Sequence, residues 1–289
     1  MDKLIKALAL NDEVRVYLVN SKEVLDEAIR RHDLWPTASS VLGKTMSVGL
    51  MMGAMLKNDE ALTIKINGNG PIGNIVVDAN GMGEVRGYVH HPHINFVGSS
   101  GLADSYAIGE EGFLDVIKDL KMKDFFTSTI AITGDLAKDF TYYFMESDQT
   151  PSAVYLGTLM DVNNLPKVNG GMIVQLLPNT AEETIDKLED ILKNITSVST
   201  LFEENSLNDI LDKLFGSNCK ILEEKEIKFH CGCSKDTFSK ALITLGVKDL
   251  EDMYHEDEKI ETTCHYCNEH YHFDKEEIKK LIEEVKARE

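Results

Sequence analysis

The sequence predicts an α+β fold in three parts: an N-terminal antiparallel-sheet and helix domain over residues 1–178, a helical linker over 179–226, and a small C-terminal domain over 227–289. Three observations predict it. Short alternating strands joined by glycine turns recur as far as Pro178 and are interleaved with helical stretches, without the repeated βαβ units of a parallel sheet. After Pro178 the character changes, residues 179–230 holding 12 acidic and 6 basic side chains around short amphipathic segments. The end of the chain then carries four cysteines as two close pairs, Cys231 with Cys233 and Cys264 with Cys267.

At 289 residues the chain exceeds one ordinary compact core, and 43% apolar residues suffice for more than one. A net charge of -19, from 49 acidic against 30 basic side chains, favours solubility and opposes sequence-independent binding to nucleic acid or anionic lipid. The N-terminal apolar stretch is too short and too interrupted by charge for a signal peptide. Val41 to Leu56, the longest apolar segment, contains Lys44 and falls short of the roughly 18 to 20 residues that span a bilayer. A cytoplasmic protein without membrane or nucleic-acid partners is expected. Paired cysteines in such a chain favour metal binding or redox chemistry over a permanent disulfide framework.

Taken in order, Val14 to Val19 alternates as a strand, and Ser21 is placed to cap a helix through Val24, Leu25, Ala28 and Ile29. From Trp35-Pro36 a long helix runs to Lys57, carrying Met46, Met51, Met52 and Met55 among Gly43, Gly49 and Gly53; it is expected to be a core helix packed closely against its neighbours. Leu62 to Asn67 alternates cleanly and leads into Gly68-Asn-Gly70-Pro-Ile-Gly73, a formal match to the dinucleotide fingerprint. The fingerprint must open a helix, whereas Pro71 and the strand-like Ile75 to Asp78 indicate strand-turn-strand, so residues 61–90 read as an antiparallel meander and nucleotide binding is rejected. His90, His91 and His93 read as a solvated loop. Strands are predicted over Phe125–Thr133, Ser152–Asp161 and Gly170–Pro178, with a helix over Leu136–Glu146.

The linker shows helical patterns at Ala181–Asn194 and Leu207–Phe215 separated by polar breaks, and helices this short depend on docking for stability. Cys219 lies there unpaired and reads as a partly buried small apolar residue. From Ile227 the pattern is strand, Cys231-Gly-Cys233, a helix capped by Ser234, Gly246, a short helix at Leu250–Tyr254, a strand from Lys259 to Thr263, Cys264-His-Tyr-Cys267, and a final helix capped by Asp274.

Two pairs thirty residues apart in sequence can bring four sulfurs to one point, as a tetrahedral zinc ion held by thiolates requires. A domain of this size has a marginal core that a structural metal supplements. His230, His265, His270 and His272 lie near enough to replace one thiolate. Zinc could be a staple only, but Cys-x-Cys is a tighter and less symmetrical turn than the usual knuckle. Oxidation to neighbour bridges would close very small loops and release zinc without replacing its long-range restraint; a Cys233–Cys264 bridge would instead remove roughly 3 to 4 kcal/mol of unfolded-chain entropy. A basic face for a nucleic-acid zinc ribbon is missing, residues 231–289 holding 15 acidic and 9 basic side chains. Cys264-His-Tyr-Cys267 is also not seated in the βαβ unit of a thioredoxin-like oxidoreductase.

Together these residues resemble the bacterial redox-regulated 33 kDa chaperonin (heat-shock protein, HslO) family. The resemblance is carried by Cys231-x-Cys233 and Cys264-x-x-Cys267 with Asn268 and Tyr271-x-Phe273-Asp274. It extends over the chain through Leu42-Gly-Lys-Thr45, Met52-Gly-Ala-Met-Leu-Lys57, Gly68-x-Gly70-Pro-x-Gly73, Asp78-Ala-Asn80, Gly83-Glu-Val-Arg-Gly-Tyr88, Pro151-Ser-Ala-Val154 and Gly170-Gly-x-x-x-Gln-Leu-Leu-Pro178. It implies an ATP-independent holdase, not an enzyme, with one zinc on Cys231, Cys233, Cys264 and Cys267 in the reduced, inactive form. It further implies that oxidative stress forms Cys231–Cys233 and Cys264–Cys267 disulfides, expels zinc and destabilises the linker. The activated form would dimerise, bind unfolding client proteins and pass them to ATP-dependent foldase chaperones. The Met46–Met55 helix and the linker helices are the candidate client surfaces.

Overall fold

Alternation of apolar and polar side chains, the period of a pleated strand, organises most of the first 230 residues. The computed structural model describes residues 2–96, 100–256 and 260–287. It divides into two units, Met1–His230 and Cys231–Glu289. The α+β class holds. In order, the first unit contains β1 (Lys3–Ala9), β2 (Val14–Asn20), α1 (Lys22–His32), α2 (Pro36–Gly53), β3 (Ala61–Gly68), β4 (Asn74–Asn80), β5 (Glu84–Val89), α3 (Ser100–Ile108), β6 (Gly112–Asp119), β7 (Phe126–Ala131), α4 (Leu136–Glu146), β8 (Ser152–Met160) and β9 (Pro166–Leu176). It closes with α5 (Glu182–Lys193), α6 (Val198–Glu204), α7 (Leu207–Phe215), β10 (Cys219–Glu226) and β11 (Lys228–Phe229). The second unit contains α8 (Lys235–Ile243), α9 (Val247–Glu256), β12 (Ile260–Thr263), β13 (His270–Phe273) and α10 (Lys275–Lys286). No described helix is long and apolar enough to cross a membrane.

The first unit has a five-stranded sheet in the order β10-β1-β2-β9-β8 and a six-stranded sheet in the order β11-β5-β4-β3-β6-β7. The glycine-rich 68–73 segment is the β3–β4 turn, as expected. Its glycines admit the end of α3: the amide of Gly70 donates to the Ile108 carbonyl at 2.8 Å, and a Cβ on Gly68 would lie 2.0 Å from that same oxygen.

Helix α2 contacts strands of both sheets, and Met46, Met51 and Met52 are buried. Glycine permits the approach, since a Cβ on Gly43 would meet Asn169 Oδ1 at 2.7 Å and one on Gly49 would meet Val77 at 3.1 Å. Continuous helix to Lys57 is not seen. At Gly53 a Cβ would come within 2.6 Å of the Asn80 carbonyl, and the chain leaves α2 there through tight turns at Met55 and Leu56.

Asn169, fully buried on β9, joins α2 to the sheet: its Nδ2 donates to Ser21 Oγ (2.9 Å), Ser47 Oγ (3.2 Å) and the Gly43 carbonyl (3.2 Å), and its Oδ1 accepts from Thr158 (2.8 Å). Ser21 is thereby drawn away from the capping role predicted for it. Asp2 takes that role, its Oδ2 accepting from the Val24 amide at 2.8 Å.

The five-stranded sheet is apolar on both faces. Leu4, Tyr17, Val19 and Ile173 face the α2 core, while Ile5, Ala7, Val16, Leu18, Met172 and Val174 face a second core built with Leu188, Ile210, Leu211 and Phe215 of α5 and α7. The linker helices thus cover the second face. Helix α6, read from sequence as a polar break, forms because Ser197 Oγ accepts from the Thr200 amide at 3.3 Å and caps it. The linker is also not helical throughout: residues 219–226, assigned to it, form β10, because the exposed backbone edge of β1 pairs with them from Ala9↔Cys219 to Lys3↔Glu226. Residues 227–229, assigned to the C-terminal domain, pair through β11 with β5 in the first unit.

In the second unit Leu242, Leu250, Ile260, Phe273, Ile278, Leu281, Ile282 and Val285 form one small core. Ser234 and Asp274 cap α8 and α10 as predicted. Lys259, expected to open β12, lies outside the described residues.

Burial raises the Asp2 carboxyl to about 6. Folding therefore takes up a proton between the unfolded and folded values, and the stability this adds is complete below about pH 4 and lost as pH rises through about 6. Asp2→Asn keeps the oxygen that accepts from Val24 and removes the titration. The difference in unfolding free energy between wild type and variant is expected to change by about 3 kcal/mol across that window, read from denaturant melts at several pH values.

Candidate metal centre

Each cysteine pair is held by local backbone structure. Cys231 and Cys233 lie in the extended segment before α8, whose start is fixed one residue beyond Cys233 by Ser234 Oγ accepting from the Thr237 amide at 3.2 Å. Cys264 and Cys267 sit at the β12–β13 turn. There the amides of Cys267 and Asn268 both donate to the Cys264 carbonyl, at 3.3 and 2.7 Å, and the Cys264 amide donates to Glu269 at 2.9 Å. Asn268 adopts the left-handed conformation that lets the turn close.

The four predicted cysteines meet. Their Sγ atoms all lie within 4.8 Å of one another, with Cys231–Cys264 at 3.8 Å and Cys233–Cys267 at 3.3 Å. A tetrahedral ion with Zn–S bonds of about 2.3 Å has S···S edges of about 3.8 Å, so the donor set and its size are compatible with zinc. Among the described residues this is the group of His, Cys and carboxylate donors that comes together in this way. The histidines considered as substitutes are engaged elsewhere where their contacts are defined: His270 and His272 face Glu261 at 2.9 and 3.2 Å, and His230 lies 4.0 Å from Glu84 in the first unit.

Cys264 and Cys267 are buried, Cys231 and Cys233 half-buried. Burial pushes the Cys264 and Cys267 thiols up, and the neighbouring sulfurs raise Cys267 further. Four crowded sulfurs cannot all become thiolates unless a cation supplies the missing charge. Tyr271, which spacing alone did not single out as part of the site, donates its hydroxyl to Cys233 Sγ at 3.2 Å, and this bond, more than burial, holds its phenol protonated. Phe238 packs against the Tyr271 ring at 5.0 Å and orients it. Cys219 lies outside the site, half-buried in β10 against the linker core, its thiol pushed up by burial and then by Asp212.

A family model described as Hsp33 protein matches residues 2–274. The chain belongs to the Hsp33 family. It is similar to the 33 kDa chaperonin of Bacillus velezensis, 47% identical over 289 residues with 99% of each chain covered, and to that of Bacillus subtilis, 45% identical at the same coverage. The crystal structure of the 33 kDa chaperonin (heat shock protein 33 homolog) from Thermotoga maritima superposes with a TM-score of 0.90 at 34% identity, covering 99% of both chains. Membership in the Hsp33 family supports a chaperone role, and the four-cysteine cluster fits the zinc-binding domain expected at the C-terminal end.

In a metal-free domain the buried thiols are protonated at neutral pH, so metal uptake releases protons and affinity falls as pH falls. Chelator competition between pH 8 and pH 6 is expected to show zinc held progressively less tightly toward the acid end. Tyr271→Phe, which removes one hydrogen bond to a ligand sulfur, is expected to weaken retention by about tenfold or more. Equal affinity across the pH range, or an unchanged Tyr271→Phe variant, would contradict this description of the site.

Proposed function

We propose that this chain is a redox-regulated, ATP-independent holdase whose zinc-loaded reduced form is inactive. The observation that carries the reading is the double-sided sheet: eight core side chains of β1, β2 and β9 are shielded by short linker helices, and the chain that follows those helices runs through β10 and β11 directly into Cys231.

In this account Cys231, Cys233, Cys264 and Cys267 hold one zinc as thiolates, and the ion closes the second unit across the thirty-residue separation of its pairs. Zinc on such a site is worth roughly 10 to 16 kcal/mol by peptide precedent, comparable with the stability of a whole domain. A two-electron oxidant such as peroxide converts one thiolate of a pair to a sulfenic acid; its neighbour displaces water and forms the disulfide. Both pairs oxidised leave no thiolate for zinc, which departs. The folded geometry keeps crossed pairing within reach as well, so Cys231–Cys233 and Cys264–Cys267 pairing rests on the family resemblance. These bridges close loops too short to restore the long-range restraint.

Loss of the second unit then frees β11 and β10, and with them α5–α7. Ile5, Ala7, Val16, Leu18, Met172 and Val174 become an apolar surface for unfolding proteins. Of the two candidate client surfaces, the linker region is favoured by this reading; the α2 methionines stay enclosed between two sheets. Such a surface on two copies also accounts for dimerisation on activation, and ATP-dependent foldases would receive the held clients. Release without catalysis, in the cytoplasm, completes the reading.

The test measures zinc, free thiols and suppression of client aggregation on the same samples before and after peroxide at heat-shock temperature. One zinc and four thiols are expected to disappear as anti-aggregation activity appears, with mass-mapped bridges at Cys231–Cys233 and Cys264–Cys267. Zinc loss without activity would reduce the site to a staple, and crossed bridges would reject the restraint argument.

A further inference from the structure

Strands β1 and β10 are an unequal pair. β1 is held by β2 on its other edge and buries Leu4, Ile5, Ala7 and Ala9. β10 ends the five-stranded sheet and buries none of its eight residues, Ile221 and Leu222 standing 43 and 45% exposed. A register shift between Lys6 and Ala7 interrupts the ladder that joins them. What β10 supplies to β1 is therefore main-chain pairing and charge, with little packing.

The charge is matched to its partner. Glu223, Glu224 and Glu226 stand across from Lys6, Ile5 and Lys3, and Lys3 Nζ reaches Glu224 at 3.3 Å. In a chain of net charge -19, β1 thus sets two lysines along one backbone edge. Ile5, Ala7 and Ala9 of the same strand belong to the apolar face covered by α5 and α7, so edge and face are continuous. With β10 detached, β1 would offer a row of unpaired amides and carbonyls, a template for any extended chain.

We propose that the β1 edge takes one extended segment of an unfolding client as an added antiparallel strand, acidic residues set among apolar ones being preferred, and that β10 fills this place in the closed form as a built-in stand-in for the client. The proposal deepens the holdase reading and rests on it for the release of β10. Main-chain bonds make the capture tolerant of sequence, while Lys3 and Lys6 set its preference. The opened sheet thereby gains a directional, backbone-mediated site beside its non-directional apolar face.

The probe is a fluorescent, end-capped peptide with the sequence of residues 219–226 carrying Cys219→Ser. It is titrated into two full-length preparations: oxidised, zinc-free wild type, and reduced Glu223→Pro/Glu224→Pro. In the latter, one of two successive residues must direct its lost amide at β1, so β10 is detached without oxidation. Both are expected to bind the probe and reduced wild type is not, with amide protection gained over residues 3–9. N-methylation of alternate probe residues is expected to abolish binding in one phase and spare it in the other. Glu→Lys probes are expected to bind about two- to fivefold more weakly per reversed pair, and the oxidised Lys3→Glu/Lys6→Glu protein is expected to reverse that order. Equal loss in both methylation phases, an unreversed charge order, or no binding to either preparation would each overturn the proposal. Protection of residues 3–9 that grows with protein concentration in the absence of probe would give the edge to a second copy and overturn it as well. Binding to the proline variant with none to oxidised wild type would instead defeat the redox opening and leave the β1 site standing.

Discussion

A sheet that is apolar on both faces must be covered on both. In the first unit one cover is deeply enclosed: α2, nearly all of it buried, lies between two sheets and is bonded from Asn169 of β9 at Ser47 and Gly43. Removing the Asn169 side chain would forfeit the links from β9, while Ser21 Oγ and Ser47 Oγ would keep each other at 2.8 Å and Ser47 would keep the Gly43 carbonyl at 2.9 Å. The other cover consists of three short helices, of whose inward residues only Leu188, Ile210, Leu211 and Phe215 are buried, the rest, among them Leu192 of α5 and Leu201 and Phe202 of α6, being partly exposed. Helices of 7 to 12 residues do not hold themselves together in water. The asymmetry between the two covers makes one face a candidate for regulated exposure and the other a fixed core.

In the proposed function the cysteine centre would control the weaker cover, and its own unit is small. One hydrophobic cluster of about a dozen side chains supports residues 231–289, and domains of that size depend on an added staple. On the proposed reading, thiolate ligands would make the staple conditional, since the atoms placed to bind the metal are those an oxidant attacks. A zinc site of imidazoles and carboxylates would offer an oxidant no thiolate to attack.

Much of this was legible in the sequence for local reasons. Leu62 to Asn67 alternates without interruption, so β3 and its meander could be read directly; Leu136–Glu146 was bounded correctly as α4; the two cysteine pairs declared a four-sulfur centre by spacing alone. What escaped reading depends on long-range partners. Lys3 and Lys6 disguise β1, and Ile221-Leu-Glu-Glu-Lys225 reads as helix, yet these segments become strands by pairing with each other, Lys3 meeting Glu224 at 3.3 Å. Ser21 looked like a cap until Asn169, 148 residues away, claimed its hydroxyl. The Tyr271 bond to Cys233 likewise joins residues 38 positions apart, with the Tyr271 ring packed against Phe238.

Hydrogen–deuterium exchange on the reduced zinc-loaded and the oxidised zinc-free protein tests most directly whether the metal state of residues 231–289 governs the cover on the five-stranded sheet. The account predicts that protection over residues 182–226 collapses on oxidation while α2 and the β3–β5 meander keep theirs. Equal protection of α5–α7 in the two states, with zinc gone and the thiols oxidised, would contradict it.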